Sequence, residues 1–127
     1  MIEDLSPGIC LTLLAVVSET DTAKAYGSGL LEVYATPAMI SFMEHTAMDL
    51  VQEYLPKGYG TVGTKICVEH LKASPVGAKI KCESKLIEVQ NRKLLFELRV
   101  TENEETIGSG THERFIIEEA RFLKKLR

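Results

Sequence analysis

Apolar residues recur with two different periods, which divide the chain into one long helix and several strands. Between residues 36 and 54 they follow the 3.6-residue period of an α-helix. Thr36 is a good N-cap and Pro37 suits the first helical position, so the pair predicts the helix start. Pro56 and Gly58 break the pattern and predict its end. A single, almost wholly apolar helix is therefore expected.

Elsewhere the apolar residues alternate with polar ones, which is typical of β-strands. The turn sequences SPVG, QNRK and TENEE separate successive strands, so neighbours along the chain are predicted to pair antiparallel. Near Leu86 and Ile87 the alternation slips by one residue, which predicts a β-bulge. The tail 118–127 predicts one or two helical turns. The predicted strands are residues 11–19, 61–71, 78–89, 94–100 and 106–117.

This order of elements predicts an α+β fold. The helix is too apolar to lie on a surface, so we expect the antiparallel sheet to curve around it as one central helix wrapped by strands, the hotdog fold. Such a sheet leaves unpaired edges, and pairing two copies edge to edge would cover them. A homodimer is therefore predicted, and dimers of this kind can pair further into tetramers.

Length and charge narrow the class of protein. The 127 residues suit one domain, 1–127, that buries its own core. A net charge of -3 gives no reason to expect nucleic acid or an anionic membrane as a partner. No apolar run approaches the roughly 20 residues of a membrane span. The acidic start MIEDLSPGIC is unlike a secretory signal.

The three cysteines, Cys10, Cys67 and Cys82, are an odd number and lack the spacing of a metal or redox motif. We interpret them as free thiols of a reducing cytoplasm. Cys67 and Cys82 fall in strand patterns, where a cysteine usually acts as a small apolar residue, so a catalytic cysteine is not favoured.

Glu44 interrupts the apolar face of the predicted helix. On a helical wheel it falls between Val51 and Leu55, inside the arc that the apolar side chains fill. Burying a carboxylate without partners costs several kcal/mol, so natural sequences accept it chiefly where the group has a task. The alternative is that Glu44 reaches water at the edge of the arc or pairs with a buried Lys or Arg.

Two further polar residues are predicted to lie near this helix face. His70 ends an apolar row on one face of its strand, and that row should face the side of Glu44; a lone histidine there is nevertheless often a core residue. The row is Val62, Thr64, Ile66, Val68 and His70. Thr36 adds a hydroxyl about 12 Å along the helix from Glu44. A role as the N-cap residue would also explain a threonine at this position.

The remaining polar residues carry less information. His45 is predicted on the polar helix face, and His112 lies in the last strand without a partner that the pattern identifies. No pair of His, Cys or carboxylate residues has ligand spacing on a shared face, so no metal site is predicted.

Three segments, ATPAMISFMEHTA, GTVGTKICVEHLKASPVG and IGSGTHERFII, resemble the hotdog acyl-CoA thioesterases of the fluoroacetyl-CoA thioesterase-like group. The resemblance covers nearly the whole chain. It implies hydrolysis of an acyl-CoA by Thr36, Glu44 and His70, with Glu44 as nucleophile or base and His70 as proton carrier. It also implies carbonyl binding by the Gly63 N–H and positioning by Arg114, for which an exposed ion pair is the alternative. Coenzyme A enters as part of the substrate, without a further cofactor.

One position departs from the group's pattern. The fluoroacetyl-specific enzyme has a phenylalanine in a lid before the helix, where this chain has Leu30, so fluoroacetyl specificity is not implied. The alternatives to a thioesterase are a hotdog hydratase or dehydratase and a non-catalytic module that binds acyl-CoA. A purely structural dimer in which Glu44 and His70 form a buried ion pair is a third, although such pairs often add little stability.

Overall fold

The computed structural model describes residues 4–127; Met1 to Glu3, at the start of the acidic N-terminal segment, lie outside the described residues. A short 3-10 turn, Glu19–Asp21, follows the first strand. The described residues form these strands and helices: β1 (Cys10–Val16), α1 (Ala23–Tyr26), α2 (Thr36–Gln52), β2 (Tyr59–His70), β3 (Lys79–Gln90), β4 (Lys93–Glu102), β5 (Glu105–Glu118) and α3 (Glu119–Lys124).

The five strands form one antiparallel sheet in the order β1-β3-β4-β5-β2, so β1 and β2 are its edges. Helix α2 packs on the sheet, as the predicted α+β hotdog arrangement requires, and that prediction is confirmed. The helix ends at Gln52, two residues before the predicted end. None of the helices within residues 4–127 is long and apolar enough to cross a membrane.

Helix α2 buries the apolar side that its sequence pattern predicts. Four of its side chains are fully buried against the sheet: Met39, Met43, Ala47 and Val51. Full burial of a methionine or valine side chain stabilises the fold by about 1.5–3 kcal/mol. Thr46 was predicted on the polar side but is also fully buried. Its hydroxyl donates to the Phe42 carbonyl at 2.7 Å, which removes the cost of burying it.

Gly108 lets the first half of α2 approach the sheet closely. A Cβ atom at this position would collide with the thioether of Met39. Gly108 pairs with His70 across β5 and β2, so the same close approach brings the start of the helix to the end of β2.

The register of neighbouring strands shifts at three places, one of them between Val100 and Thr101 in the pairing of β4 with β5, and the sequence pattern predicted one of the other two. The register of β3 and β4 shifts between Leu86 and Glu88, as expected. The register of β2 and β5 shifts between Gly63 and Lys65, which was not predicted. The bulge after Gly63 reverses which side chains of β2 face the helix. The predicted inward-facing row is therefore wrong at its first two residues, Val62 and Thr64.

The residues that face the helix before the bulge are Thr61 and Gly63 instead of Val62 and Thr64. The Thr61 hydroxyl contacts the buried Arg114 side chain, and Thr64 is exposed. The bulge therefore turns a glycine towards α2, where the predicted row would have placed larger side chains.

All three cysteines are free thiols. Cys82 is buried, and burial raises the pKa of its thiol to about 11, which disfavours a nucleophilic thiolate. Cys67 does not lie in the core as its strand pattern indicated; it is exposed on the edge strand β2.

Candidate active site

Apart from Leu30, the predicted site residues lie in two separate groups along α2, β2 and β5. The helix and the strand run in opposite directions, so the start of α2 meets the end of β2. One group is Thr36 with His70, called here the Thr36–His70 pair. The other, called the Gly63 cluster, consists of Glu44, Thr61, Gly63, His112 and Arg114.

Thr36 contacts His70 directly. The Thr36 Oγ1 and His70 Nδ1 atoms are 2.8 Å apart, a hydrogen bond in which either can donate. Ala35, rather than Thr36, is the N-cap residue of α2, and its side chain makes no capping hydrogen bond. The prediction that Thr36 caps the helix is therefore wrong, and its hydroxyl is committed to the histidine.

The second ring nitrogen of His70 is left unsatisfied by the described part of the chain. Nε2 is buried and makes no hydrogen bond with any residue of the range 4–127. Burial lowers the pKa of His70, and the nearby backbone of Lys72 opposes the shift only in part. A neutral imidazole with one free ring nitrogen can accept a proton there, and the imidazolium that results can deliver it.

A cleft of about 330 Å³ lies beside this pair, lined by residues 33–37 and 70–73 together with Ala23 and Ser28. The ring of Tyr34 stands edge-on to the His70 ring, with the centroids 6.0 Å apart. Since Tyr34 is itself buried, it fixes the plane of the imidazole from behind.

The Gly63 cluster surrounds the position that a side chain at residue 63 would occupy. A Cβ atom there would lie 3.0 Å from Glu44 Oε2, 3.1 Å from His112 Cε1 and 3.2 Å from Arg114 Nη1. Only glycine fits here without moving these neighbours. A carboxylate and a guanidinium thus lie close to the Gly63 backbone, which is itself exposed.

Arg114 is a buried cation, with 6% of its surface exposed. Its Nε donates to Thr61 Oγ1 at 2.8 Å and its Nη2 donates to the Thr61 carbonyl at 3.0 Å. Burial lowers the pKa of Arg114, and the negative charge of Glu44 acts in the opposite direction. Arg114 therefore does not form an exposed ion pair, which was the alternative to a positioning role.

His112 belongs to this cluster, although the sequence pattern gave it no partner. It is 2% exposed, its Nδ1 lies 2.7 Å from the Lys65 carbonyl, and its Nε2 lies 3.1 Å from Arg114 Nη1. Burial lowers the pKa of His112, and the charge of Arg114 adds to that effect. One feature of the sequence could have identified His112 as a neighbour of Arg114. The two residues are two positions apart in a strand, so their side chains lie on the same face.

The structure does not bring Glu44 and His70 together within one chain. The eight residues from Thr36 to Glu44 span about 12 Å of helix, and the seven from Gly63 to His70 span about 23 Å of strand. The expectation that His70 faces Glu44 is therefore wrong for a single chain. The same distances exclude the intramolecular form of the buried Glu44–His70 ion pair.

Leu30 lies apart from both groups. It is 91% exposed and is not among the residues that line the cleft. Within the range 4–127, no group of three or more His, Cys, Asp or Glu residues is arranged to hold a metal ion.

Comparison with known proteins yields consistent matches. A family model described as a fluoroacetyl-CoA-specific thioesterase matches residues 17–120. The fluoroacetyl-CoA thioesterase of Streptantibioticus cattleyicolor is 38% identical over 96 residues, which cover 76% of this chain and 69% of that protein.

Two solved structures superpose closely. A phenylalanine-to-alanine mutant of the fluoroacetyl-CoA-specific thioesterase FlK, in complex with fluoroacetate and CoA, is 31% identical with a TM-score of 0.87, covering 93% of this chain and 99% of its own. A hot-dog-like protein from Thermanaerovibrio acidaminovorans is 21% identical with a TM-score of 0.90, covering 98% of this chain and 92% of its own, and supports the fold alone.

Proposed function

Because this chain belongs to the fluoroacetyl-CoA-specific thioesterase family, we propose that it hydrolyses the thioester of an acyl-CoA to a free acid and coenzyme A. Relatives with this activity, including one whose structure contains CoA, support the substrate class. The identity of the acyl group is a separate question, because Leu30 stands where the fluoroacetyl-specific enzyme has its lid phenylalanine.

The proposal rests on the close approach of Glu44 Oε2 and Arg114 Nη1 to the exposed backbone of Gly63. A thioester carbonyl bound against the Gly63 backbone at this point would have a carboxylate beside its carbon and N–H donors near its oxygen. The Gly63 N–H is the proposed donor to the developing oxyanion, an effect worth about 3 kcal/mol for one donor. The bulge at this point supports that role, since bulges interrupt the ladder and re-aim groups next to active sites.

Glu44 starts the reaction in this proposal. Either the carboxylate removes a proton from water, whose oxygen then bonds to the carbonyl carbon, or the carboxylate itself forms that bond and the resulting anhydride is hydrolysed. In both routes the carbon–sulfur bond breaks and coenzyme A leaves as a thiolate. Rapid quenching and mass spectrometry separate them, because only the second route attaches the acyl group to Glu44.

The Thr36–His70 pair is the proposed proton carrier. The Thr36 hydroxyl can accept from Nδ1–H or donate to Nδ1, so the 2.8 Å bond survives either tautomer. The Nδ1–H tautomer leaves the Nε2 lone pair free to take a proton from water, and the imidazolium formed in this way can pass that proton to the thiolate, which returns His70 to the neutral form. Since burial lowers the pKa of His70, the neutral form that the first step needs is present at neutral pH.

A dimer would join the two groups. Strand β2 is an edge of the sheet, and its residues Gly63, Lys65 and Cys67 reach the surface. If β2 pairs antiparallel with β2 of a second copy about an axis near Cys67, Gly63 of each copy lies beside His70 of the other. Each active site would then combine the Gly63 cluster of one copy with the Thr36–His70 pair of the second.

The test of the activity is thiol release from a series of acyl-CoAs, from acetyl to long-chain and aryl, with the thiols of the protein itself subtracted. Glu44→Gln and His70→Ala are expected to lose about 100-fold or more of the rate. Glu53→Gln and His45→Ala, which change exposed residues at the end and on the outer face of α2, are the matched controls.

Full activity of both site variants would contradict the assigned residues. Tight binding of acyl-CoA without turnover by the wild-type protein would contradict hydrolysis and favour a binding module.

A further inference from the structure

Arg114 is held in place by neutral acceptors rather than by an acid. Within residues 4–127, no carboxylate oxygen lies within 4.0 Å of its guanidinium nitrogens. An arginine has five N–H donors, and three of them are used by the Thr61 hydroxyl, the Thr61 carbonyl and His112 Nε2. These bonds fix the plane of the guanidinium and leave one N–H of Nη1 free, and Nη1 is the guanidinium nitrogen that lies beside Gly63.

The hydrogen bonds of His112 define its tautomer. The Lys65 carbonyl can only accept, so the proton sits on Nδ1 and the Nε2 lone pair accepts from Arg114 Nη1. A neutral ring with its proton on Nε2 would direct that N–H at the N–H of Arg114, and an imidazolium would in addition place two buried positive charges side by side. Burial, the largest effect, and the charge of Arg114 both lower the pKa of His112. The hydrogen bond to the Lys65 backbone opposes them, as do the charges of Glu44 from α2 and Glu113 from β5.

The bulge in β2 supplies the acceptors for both side chains. Thr61 precedes the shift in register and binds Arg114, whereas the Lys65 carbonyl follows it and binds His112. One irregular stretch of strand thus orients two neighbouring side chains of β5. A regular strand would place its carbonyls in the ladder with β5 and offer fewer acceptors to the helix side.

We propose that His112, in its neutral Nδ1–H tautomer, and Thr61 are positioning residues that hold Arg114 Nη1 beside the Gly63 backbone, where the thioester carbonyl is proposed to bind. In this position Arg114 faces both the Glu44 carboxylate and the thioester carbonyl. The inference rests on the proposed function for its kinetic consequence, whereas the hydrogen-bond network itself does not depend on it.

The kinetic test compares His112→Phe in two backgrounds. Phenylalanine keeps a buried ring but removes both nitrogens, so Arg114 loses an acceptor. In the wild-type background kcat is expected to fall about 100-fold, as for a misplaced catalytic group, with KM changed less. In an Arg114→Met background the same substitution is expected to have little further effect on kcat, because the residue it positions is already gone. Equal losses in both backgrounds, or an unchanged kcat in the first, would overturn the proposal.

Two conservative variants separate positioning from a general loss of structure. His112→Gln offers a side-chain oxygen as acceptor for Arg114 and should keep more kcat than His112→Phe. Thr61→Val removes one acceptor from Arg114 with almost no change in shape, and should lower kcat while the protein stays folded at the assay temperature. If His112→Phe does not fold, Thr61→Val in both backgrounds decides the question by the same criteria.

Nitrogen NMR of the histidine rings tests the network without turnover. The proposal predicts that His112 is protonated on Nδ1 and unprotonated on Nε2 at neutral pH. A spectrum of the Nε2–H tautomer or of the imidazolium would contradict it. This readout needs no substrate, so the two proposals can fail separately. A protein that hydrolyses no acyl-CoA would refute the proposed function, and its spectrum would still support or refute the network.

Discussion

The Gly63 cluster and the Thr36–His70 pair differ in how many of their polar atoms find hydrogen-bond partners within one chain. In the Gly63 cluster, Arg114 and His112 are buried and bonded to acceptors of the same chain. In the Thr36–His70 pair, Thr36 is exposed and His70 Nε2 is buried without a partner among residues 4–127. Buried polar groups are normally satisfied. The difference indicates that the first group is organised within one chain, whereas the second keeps a ring nitrogen free for the proposed proton transfer.

The positions of the groups in the fold explain this difference. The Gly63 cluster lies where α2, β2 and β5 meet, so residues from three elements restrain each other. The Thr36–His70 pair lies where α2 begins and β2 ends, at the margin of the sheet. A substrate or the edge of a second copy can reach the margin more easily than the interior.

The largest expected effect comes from adding a side chain at Gly63, in the centre of the Gly63 cluster. The added Cβ of Gly63→Ala would lie 3.0 Å from Glu44 Oε2 and 3.2 Å from Arg114 Nη1, so both must shift. We expect kcat/KM to fall about 100-fold. Gly60→Ala is the control in the same strand, because its new Cβ would meet chiefly the flexible Glu119 carboxylate, at 3.3 Å. Equal effects of the two variants would show that the close approach of Glu44 and Arg114 to Gly63 has no special role.

A smaller effect is expected from the Thr36–His70 pair. Thr36→Val keeps the shape of the side chain but removes the hydrogen bond to Nδ1, and should lower kcat about tenfold, the value of one such bond. Thr36→Ser keeps the hydroxyl and should retain most of the rate. If serine and valine reduce kcat equally, the methyl group matters and the hydrogen bond does not.

The pair should also show a pH signature. Burial lowers the pKa of His70 below the ordinary 6.5, and the proposed base is the neutral form. The base is therefore lost only as the pH falls through that lowered value, and His70 remains neutral at pH 6.5 in more than half of the molecules. An NMR titration of His70 that gives a midpoint at or above 6.5 would contradict this.

The smallest effect is expected outside both groups. Leu30 is 91% exposed, so Leu30→Ala should change the free energy of unfolding by no more than about 0.5 kcal/mol. Any influence of Leu30 should appear as altered relative rates among acyl groups, measured with the same acyl-CoA series. A marked loss of stability would mean that Leu30 is packed in the assembled protein.

The periodicity of the sequence predicted the helix, the strands and the bulge at Leu86 and Ile87, because burial imposes a period on side chains that face the core. It did not predict the bulge after Gly63. That bulge follows from hydrogen bonds between β2 and β5, which a pattern along one strand does not reveal. The wrong placement of Val62 and Thr64 follows from this one bulge, which reverses the alternation of side chains along β2.

The candidate site could be predicted only in part. Glu44, Gly63 and Arg114 were identified, and they lie together. His112 was missed because its partners, the Lys65 carbonyl and the Arg114 side chain, are contacts made by folding. The prediction that His70 faces Glu44 was wrong because the sequence pattern shows only which face of α2 and which face of β2 point inward. It does not show which end of the helix lies against which end of the strand.

The central claim is that each active site combines the Gly63 cluster of one copy with the Thr36–His70 pair of another. The most direct test mixes two inactive variants, Glu44→Gln and His70→Ala, after unfolding and refolding them together. If the sites are shared, each mixed dimer has one intact site, and about a quarter of the wild-type activity should return. If each copy held a complete site, every site in the mixture would carry one substitution, and an inactive mixture of well-folded dimers would contradict the account.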